Sequence, residues 1–243
     1  MATISFLGLS VILATLTLMT SAPFEELQCD HTRRRSSTGK ISLASGIGSS
    51  SFDPDQEKMM ITIGSVSIHD GQKIRVKRII PYNNHSFLPN DIGIIELEED
   101  LSFSKDIRPI CLSGKHQVGD PDKNVVITGW GDITGYGAYP NTLREGTARV
   151  VKDEKCERYG ADYTPETLIC IGSHSGTAPW RGDSGGPALL HEGKRWTQIG
   201  ITSYGMAHKD GSADLTWPSV YARISHFCDW IAENTNNEAK CDD

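Results

Sequence analysis

The chain has 243 residues, and its 24 Lys and Arg against 31 Asp and Glu give a formal net charge of −7. This acidic balance argues against a nucleic-acid partner, because such proteins neutralise phosphates with a cationic surface. Hydrophobic residues make up 37% and charged residues 23% of the chain, which excludes a fibrous or disordered protein. Its six cysteines are too few for a small disulfide scaffold but suit a larger secreted domain with two or three crosslinks.

The first residues predict the compartment. Residues 6–18 form one apolar run, and Thr20, Ser21 and Ala22 follow as a small-residue cleavage pattern. This order is typical of a signal peptide, here residues 1–22, and predicts a secreted, extracellular protein with paired cysteines. A membrane anchor is the alternative, but the run is shorter than the ~20 residues that a span needs. Asn84 begins an acceptor sequence for N-glycosylation.

Residues 23–58 predict an N-terminal segment and a flexible linker rather than a packed element. They contain three consecutive arginines, Arg33 to Arg35, and then a stretch in which Ser and Gly dominate.

From residue 59 onward, short runs alternate apolar and polar residues, as β-strands do. Residues 59–68 and 73–80 flank Asp70 and Gly71, which predicts a hairpin. Further strand patterns cover residues 91–97, 124–130, 146–151, 195–204 and 219–224. Near the end, Phe227, Trp230 and Ile231 have helical spacing and Ser225 is the predicted N-cap. The pattern predicts an all-β fold, a barrel or a sandwich, with one C-terminal helix.

The most specific motif is Gly-Asp-Ser-Gly-Gly-Pro at residues 182–187. Glycines around a serine let the backbone turn sharply and direct N–H groups towards one point. The N–H groups of Gly182 and Ser184 are therefore predicted to form an oxyanion hole. A Gly-rich surface turn is the alternative, but six matching positions are far more specific than a bare Gly-x-Ser-Gly. The hexapeptide resembles the nucleophile loop of chymotrypsin-like serine endopeptidases.

The resemblance covers residues 59–235 and leaves 236–243 as a C-terminal tail. Residues 90–97 resemble the family segment that carries the triad aspartate, which gives that role to Asp91. Further landmarks of the family are matched by residues 109–112, 128–131, 203–205 and 218–221. The resemblance implies two six-stranded antiparallel β-barrels with the active site between them, and a C-terminal helix. It also implies a monomer that acts on protein or peptide substrates, binds protease inhibitors, and needs no cofactor or metal.

The resemblance assigns the substrate-binding residues as well. Ala178 takes the position of the pocket floor, Ser219 lies on a pocket wall, and Ser203, Tyr204 and Gly205 form the edge that pairs with substrate backbone. Alanine offers no charge to a cationic side chain, so we expect cleavage after an apolar residue. Asp183 takes the position that pairs with the amino terminus created by activation.

By the same resemblance, Cys156 pairs with Cys170, and Cys29 pairs with Cys111 to tether the N-terminal segment. Cys228 and Cys241 are left, and their pairing stays open, because six cysteines allow other combinations. Two bridges of the family are absent. Val125 and Leu190 occupy one pair of positions, and Trp180 takes the place of a cysteine in the other.

The general base is the main departure. The family histidine stands in an Ala-His-Cys context four to five dozen residues before the aspartate, and the sequence has no such motif. His31, His69 and His85 precede Asp91, but each is predicted to be a surface histidine. The activation sequence is missing too, since Lys40 and Ile41 match it poorly.

Two explanations compete for this departure. The favoured one is a protease whose chain here lacks a contiguous block, which leaves the first barrel incomplete. The other is a secreted pseudoprotease that binds a partner through the cleft between the barrels, where active members of the family bind substrate. A structural or carbohydrate-binding β-sandwich is a third class, but it leaves the hexapeptide unexplained.

Overall fold

The structure, a computed structural model, describes residues 38–44, 59–82, 90–115, 120–174, 176–193 and 195–242. In this part the strands are β1 (Thr38–Ala44), β2 (Met60–Ile63), β3 (Gln72–Pro81), β4 (Gly93–Ser102), β5 (Cys111–Ser113), β6 (Asn124–Gly129), β7 (Arg144–Val150), β8 (Leu168–Ser173), β9 (Pro187–Glu192), β10 (Arg195–Tyr204), β11 (Ser219–Arg223) and β12 (Cys241–Asp242). Helix α1 spans Cys228–Asn234, and 3₁₀ turns span Asp153–Lys155, Glu157–Asp162 and Ile224–His226. No helix among these residues is long and apolar enough to cross a bilayer.

The strands form two sheets. The first has four strands in the order β1-β4-β3-β2, and the second has eight in the order β11-β8-β7-β6-β9-β10-β5-β12. An additional pairing of β11 with β10 closes the six strands β6 to β11 into a barrel. The prediction of an all-β, chymotrypsin-like double barrel with a C-terminal helix is confirmed.

Each barrel has its own apolar core. On β3 the buried positions Ile74, Val76 and Ile79 alternate with exposed ones and pack with residues of β2 and β4. The second core includes Val125 and Tyr221 from β6 and β11. Full burial of each such side chain contributes about 1.5–3 kcal/mol, so the alternation visible in the sequence is enough to orient these strands.

A third apolar cluster packs α1 against β10 and against the segment that precedes β4. Ile92 precedes β4, Ile201 lies in β10, and Phe227 and Ile231 come from the C-terminal helical region. These residues are all at most 3% exposed. Their packing fixes the chain at Asp91 against β10 of the second barrel.

One part of the predicted linker is a strand. β1 pairs with β4 in antiparallel register, and its last residue Ala44 lies opposite Gly93. The linker prediction is therefore wrong for residues 38–44. The sequence there alternates polar Lys40 and Ser42 with apolar Ile41 and Leu43, but the surrounding Ser and Gly masked this short pattern.

The hairpin and the helix differ from their predicted bounds. The predicted hairpin is present as β2 and β3, but β2 ends at Ile63, which pairs with Gln72, so residues 64–71 connect the strands. The predicted N-cap Ser225 is wrong, because it lies inside a 3₁₀ turn. The N-cap of α1 is Phe227, and no side chain caps it.

Two disulfides crosslink the second barrel region. Cys156 bonds Cys170, as the family resemblance implied, and Cys228 bonds Cys241. The second bond draws the chain end back to β5, where β12 pairs in parallel. Cys111 is also disulfide-bonded. Its expected partner Cys29 lies outside the described residues, as do the signal sequence, Asn84, His31 and His85.

Val125 and Leu190 fill the place of one missing family bridge. They are 1% and 3% exposed and belong to the same core cluster. The adjacent pairs Val126–Leu189 and Ile127–Ala188 fix the β6–β9 register. Two apolar side chains therefore occupy the core at these positions.

Candidate active site

The hexapeptide forms a tight loop immediately before β9. Gly182 and Gly185 have φ values of 96° and 84°, which side chains rarely adopt. The N–H of Gly185 donates to the Thr202 carbonyl at 3.0 Å, and the Thr202 N–H donates to the Gly186 carbonyl at 2.8 Å. Ser184 is exposed at the top of this loop. Within the described ranges, the N–H groups of Gly182 and Ser184 donate to no protein acceptor, so both are available to a ligand.

Asp91 lies beside the same strand that holds the Ser184 loop. Its carboxylate is only 7% exposed and accepts a 2.5 Å hydrogen bond from the Ser203 hydroxyl. Ser203 follows Thr202 on β10. Ser184 and Asp91, from different barrels, are thus brought together by two neighbouring residues of one strand.

Asp183 is half-buried and bonds to backbone on both sides of its carboxylate. Its two carboxylate oxygens each accept a 2.8 Å hydrogen bond, one from the Gly131 N–H and one from the Trp180 N–H. Burial raises the pKa of Asp183, although these two N–H groups act in the opposite direction. These two hydrogen bonds therefore offset only part of the free-energy cost of burying the ionised carboxylate.

Asp183 lines a cavity of about 390 Å³. Other lining residues include Ala178, Trp180, Ile133 and Leu215. Ala178 thus lines the same cavity as Asp183, whereas Ser203, Tyr204, Gly205 and Ser219 do not line this space.

The predicted pocket wall is formed by two neighbouring strands. Gly205 follows β10, and Ser219 begins β11. A methyl group on Gly205 would lie 3.4 Å from the Ser219 hydroxyl, so the two residues face each other at van der Waals distance. Ser219 is 5% exposed.

The site geometry agrees with comparisons to known proteins. The family model described as Trypsin matches residues 47–231, which is more than half of the chain. Trypsin-1 of Astacus astacus is 34% identical over 175 residues, which make up 70% of this chain and 71% of that protein. The chain belongs to the trypsin family.

Other trypsin-family relatives are much longer. Human atrial natriuretic peptide-converting enzyme is 38% identical over 161 residues, 64% of this chain and 15% of that protein. Transmembrane protease serine 11C of Mus musculus is 34% identical over 167 residues, 66% of this chain and 38% of that protein. Among solved structures, mouse neuropsin, a serine protease expressed in the limbic system, matches with a TM-score of 0.67 and 28% identity. That match covers 80% of this chain and 84% of neuropsin.

An aromatic wall, which sequence reasoning missed, supports the edge of the trypsin-family site. The Tyr159 ring meets Tyr204 and Trp217 edge-on, with centroids 5.3 and 4.9 Å apart. The Arg158 guanidinium lies 3.4 Å from the Trp217 ring centroid. Tyr159 also donates a 2.8 Å hydrogen bond to the Pro218 carbonyl. These contacts fix the backbone on both sides of the predicted pocket wall. The sequence feature that could have predicted these contacts is the position of Tyr204 and Trp217 next to the strands of the predicted pocket wall.

The described histidines lie elsewhere. His69 is exposed, as predicted, and its ring contacts the Asn141 side chain at 3.2 Å. His191 stacks on Trp196, and His208 lies 3.7 Å from the Asp214 carboxylate. In the part of the chain that the structure describes, no histidine hydrogen-bonds to the two proposed catalytic residues.

Proposed function

We propose that this protein is a secreted serine endopeptidase. We expect the chain with this sequence to hydrolyse peptides slowly, because it lacks the general base of the family. The observation that carries the proposal is the arrangement around β10, where Ser203 bonds Asp91 and Thr202 bonds the Ser184 loop. Family membership and the signal-like residues 1–22 support the secreted, proteolytic role.

Ser184 is the proposed nucleophile. Its hydroxyl oxygen would attack the carbonyl carbon of the scissile peptide bond, while the N–H groups of Gly182 and Ser184 stabilise the negative oxygen of the tetrahedral intermediate. The hydroxyl proton must pass to a base and then to the leaving amine. Asp91 would orient such a base, but no histidine precedes it in the family's Ala-His-Cys context.

The proposed pocket favours an apolar side chain. Gly205 and the Ser219 hydroxyl face each other in the proposed wall, and their assignment to one pocket with Ala178 rests on the family resemblance, because they do not line the cavity beside Ala178. If Ala178 is at the floor, a Lys or Arg side chain would be buried there without a partner, which costs several kcal/mol. The carboxylates of Asp210 and Asp214 accept hydrogen bonds from the Ser212 and Thr216 hydroxyls, and neither aspartate lines the cavity that contains Ala178.

A binding module without turnover is the second candidate. It is favoured by one observation on the sequence, that no histidine stands in the family's Ala-His-Cys context before Asp91. The cleft would then hold a polypeptide through its backbone edge and pocket, without forming an acyl-enzyme.

The first experiment measures the nucleophile directly. The full chain, secreted from a eukaryotic host, is treated with a fluorescent fluorophosphonate, with Ser184→Ala as the control and a competent trypsin-family enzyme as reference. We expect labelling and peptide hydrolysis to be slower than in the reference by a factor on the order of 10³ or more, because the serine lacks its base. Stoichiometric labelling of Ser184 at the reference rate would refute the proposed limitation.

A histidine scan separates loss of the base alone from loss of a block of chain. The antiparallel pairing of β1 with β4 brings the end of β1 next to the start of β4, and Asp91 precedes that start by two residues. Ser45→His, Gly46→His and Ile47→His would each supply an imidazole just after β1. If only the base has been lost, one of these variants should gain peptide hydrolysis that Ser184→Ala abolishes. If a block of chain is missing, no single variant should gain activity.

A further inference from the structure

A buried carboxylate organises the loop at residues 132–138. Asp132 is 6% exposed, and its side chain accepts five hydrogen bonds from this loop. One oxygen accepts from the Thr134 N–H and hydroxyl and from the N–H groups of Gly135 and Ala138, at 2.9 to 3.1 Å. The other accepts from the Gly137 N–H at 2.7 Å. These bonds replace the cross-strand hydrogen bonds that an irregular loop lacks.

The backbone of the same loop holds the segment that precedes Ser184. The Asp132 N–H donates to the Arg181 carbonyl at 2.8 Å. One residue earlier, the Gly131 N–H donates to the Asp183 carboxylate at 2.8 Å. Two successive N–H groups therefore bind the residues on either side of Gly182.

Gly182 itself is packed between two parts of the loop. A methyl group on Gly182 would lie 3.2 Å from the Gly131 Cα and 3.2 Å from the Tyr139 ring. Tyr139 is 56% exposed and Gly182 is exposed as well, so the ring lies beside Gly182 at the protein surface. The peptide unit at Gly182 is thus confined by residues on both ends of the loop that Asp132 organises.

We propose that Asp132 is a positioning residue for the oxyanion hole, because it fixes the loop whose backbone binds Arg181 and Asp183, the residues on either side of Gly182. The inference rests on the oxyanion role proposed for these two residues. Asp132 touches no substrate and acts through Arg181 and Gly182.

The chemistry of the loop requires a carboxylate. An alanine would leave the N–H groups at Thr134, Gly135, Gly137 and Ala138 without their acceptor, and a buried unsatisfied donor is unfavourable. Gly135 and Gly137 have φ values of 81° and 93°, so the free chain has many other conformations available. The loop would then open and release the Arg181 carbonyl.

Hydrogen exchange tests the coupling without any ligand. The full chain is compared with Asp132→Ala and Asp132→Asn, and Asp70→Ala is the control for loss of an exposed aspartate. We expect amides in residues 180–186 to exchange on the order of tenfold faster in Asp132→Ala, less in Asp132→Asn, while β3 and β4 are unchanged. Faster exchange at residues 132–138 alone, with residues 180–186 unchanged, would overturn the proposal.

A peptide pair tests the oxyanion hole itself. The probes are acetyl-Ala-Ala-Pro-Leu with a free C-terminal carboxylate and the same peptide as its C-terminal amide, measured by calorimetry. We expect Asp132→Ala to weaken carboxylate binding on the order of tenfold and amide binding less than about twofold, because only a carboxylate places negative charge in the hole. Equal weakening of both peptides would show a general structural role and overturn the proposal.

The two readouts keep the inferences apart. If the unmodified chain binds neither peptide, the proposed substrate cleft is wrong, and hydrogen exchange alone decides whether Asp132 holds residues 180–186.

Discussion

Gly129→Ala on strand β6 should displace the carboxylate of Asp183, which lies in the loop at residues 182–187. Gly129 ends β6, and a Cβ there would lie 1.8 Å from an Asp183 carboxylate oxygen and 2.8 Å from the carboxyl carbon. Real Cβ atoms essentially never approach other heavy atoms closer than 3.0 Å. The carboxylate must therefore move and lose its bonds from Gly131 and Trp180.

The size of the effect follows from those two bonds. Each hydrogen bond to a charged group contributes about 1.5–3 kcal/mol, and the displaced carboxylate regains some hydration, so we expect a net loss of about 3 kcal/mol. For a chain of this length, each kcal/mol lowers the melting temperature by roughly 2–4 °C. Gly129→Ala should therefore melt roughly 6–12 °C below the unmodified protein.

Thermal unfolding by circular dichroism measures this shift, with Gly205→Ala as the matched control. A methyl group at Gly205 has its nearest contact at 3.4 Å, an ordinary distance, so its melting temperature should hardly change. The same Gly129→Ala change in an Asp183→Ala background should cost less than about 1 kcal/mol, because the clashing group is gone. An equal loss in both backgrounds would refute the assignment of the clash to Asp183.

Three further stability predictions follow from buried groups. Burial would raise the pKa of Asp132, but hydrogen bonds from its loop outweigh burial and lower the pKa to about 2. The ionised Asp132 side chain should therefore contribute about 2 kcal/mol to the free energy of unfolding at pH values above its ordinary pKa of 3.8. This contribution should be lost as pH falls towards 2. The difference in urea stability between the unmodified chain and Asp132→Ala should therefore shrink over that pH window. Replacing both Cys228 and Cys241 by Ala should cost about 3 kcal/mol in chemical denaturation, because the bond closes a loop with a sequence separation of 13. Arg223→Leu should cost about 3 kcal/mol by the same assay, because the charged side chain of this 5% exposed residue shares its Nε–H between two backbone carbonyls at 3.0 Å; a loss below 1 kcal/mol would contradict this.

The elements that could be predicted from sequence are those with strong local signals. β10 spans Arg195–Tyr204, as predicted, because a ten-residue run rich in β-branched and aromatic side chains favours a strand even where five consecutive residues are buried. The loop at Ser184 was also predictable, since its glycines are required by backbone conformation. β8 and β9 were missed because most of their residues are buried on both faces, which removes the alternation.

The features that escaped prediction depend on contacts distant in sequence. The hydrogen bond between Asp91 and Ser203 joins residues 112 positions apart. β12 has only two residues, and nothing in its composition indicates a strand. Asp132 looked like an ordinary loop acid, because its five bonds arise only when the loop folds around it. Local patterns specify elements, whereas these contacts need the assembled barrels.

The short strand β12 has a consequence for how the segment between α1 and β12 withstands other peptidases. Endopeptidases need several residues of a substrate in an extended, detached conformation. Here the Asp242 carbonyl accepts a hydrogen bond from the Gly114 N–H, its carboxylate accepts one from Arg195, and Cys241 is covalently bound to Cys228. We therefore expect an added endopeptidase to leave residues 235–240 uncut while this disulfide is intact, and to cut them after its reduction.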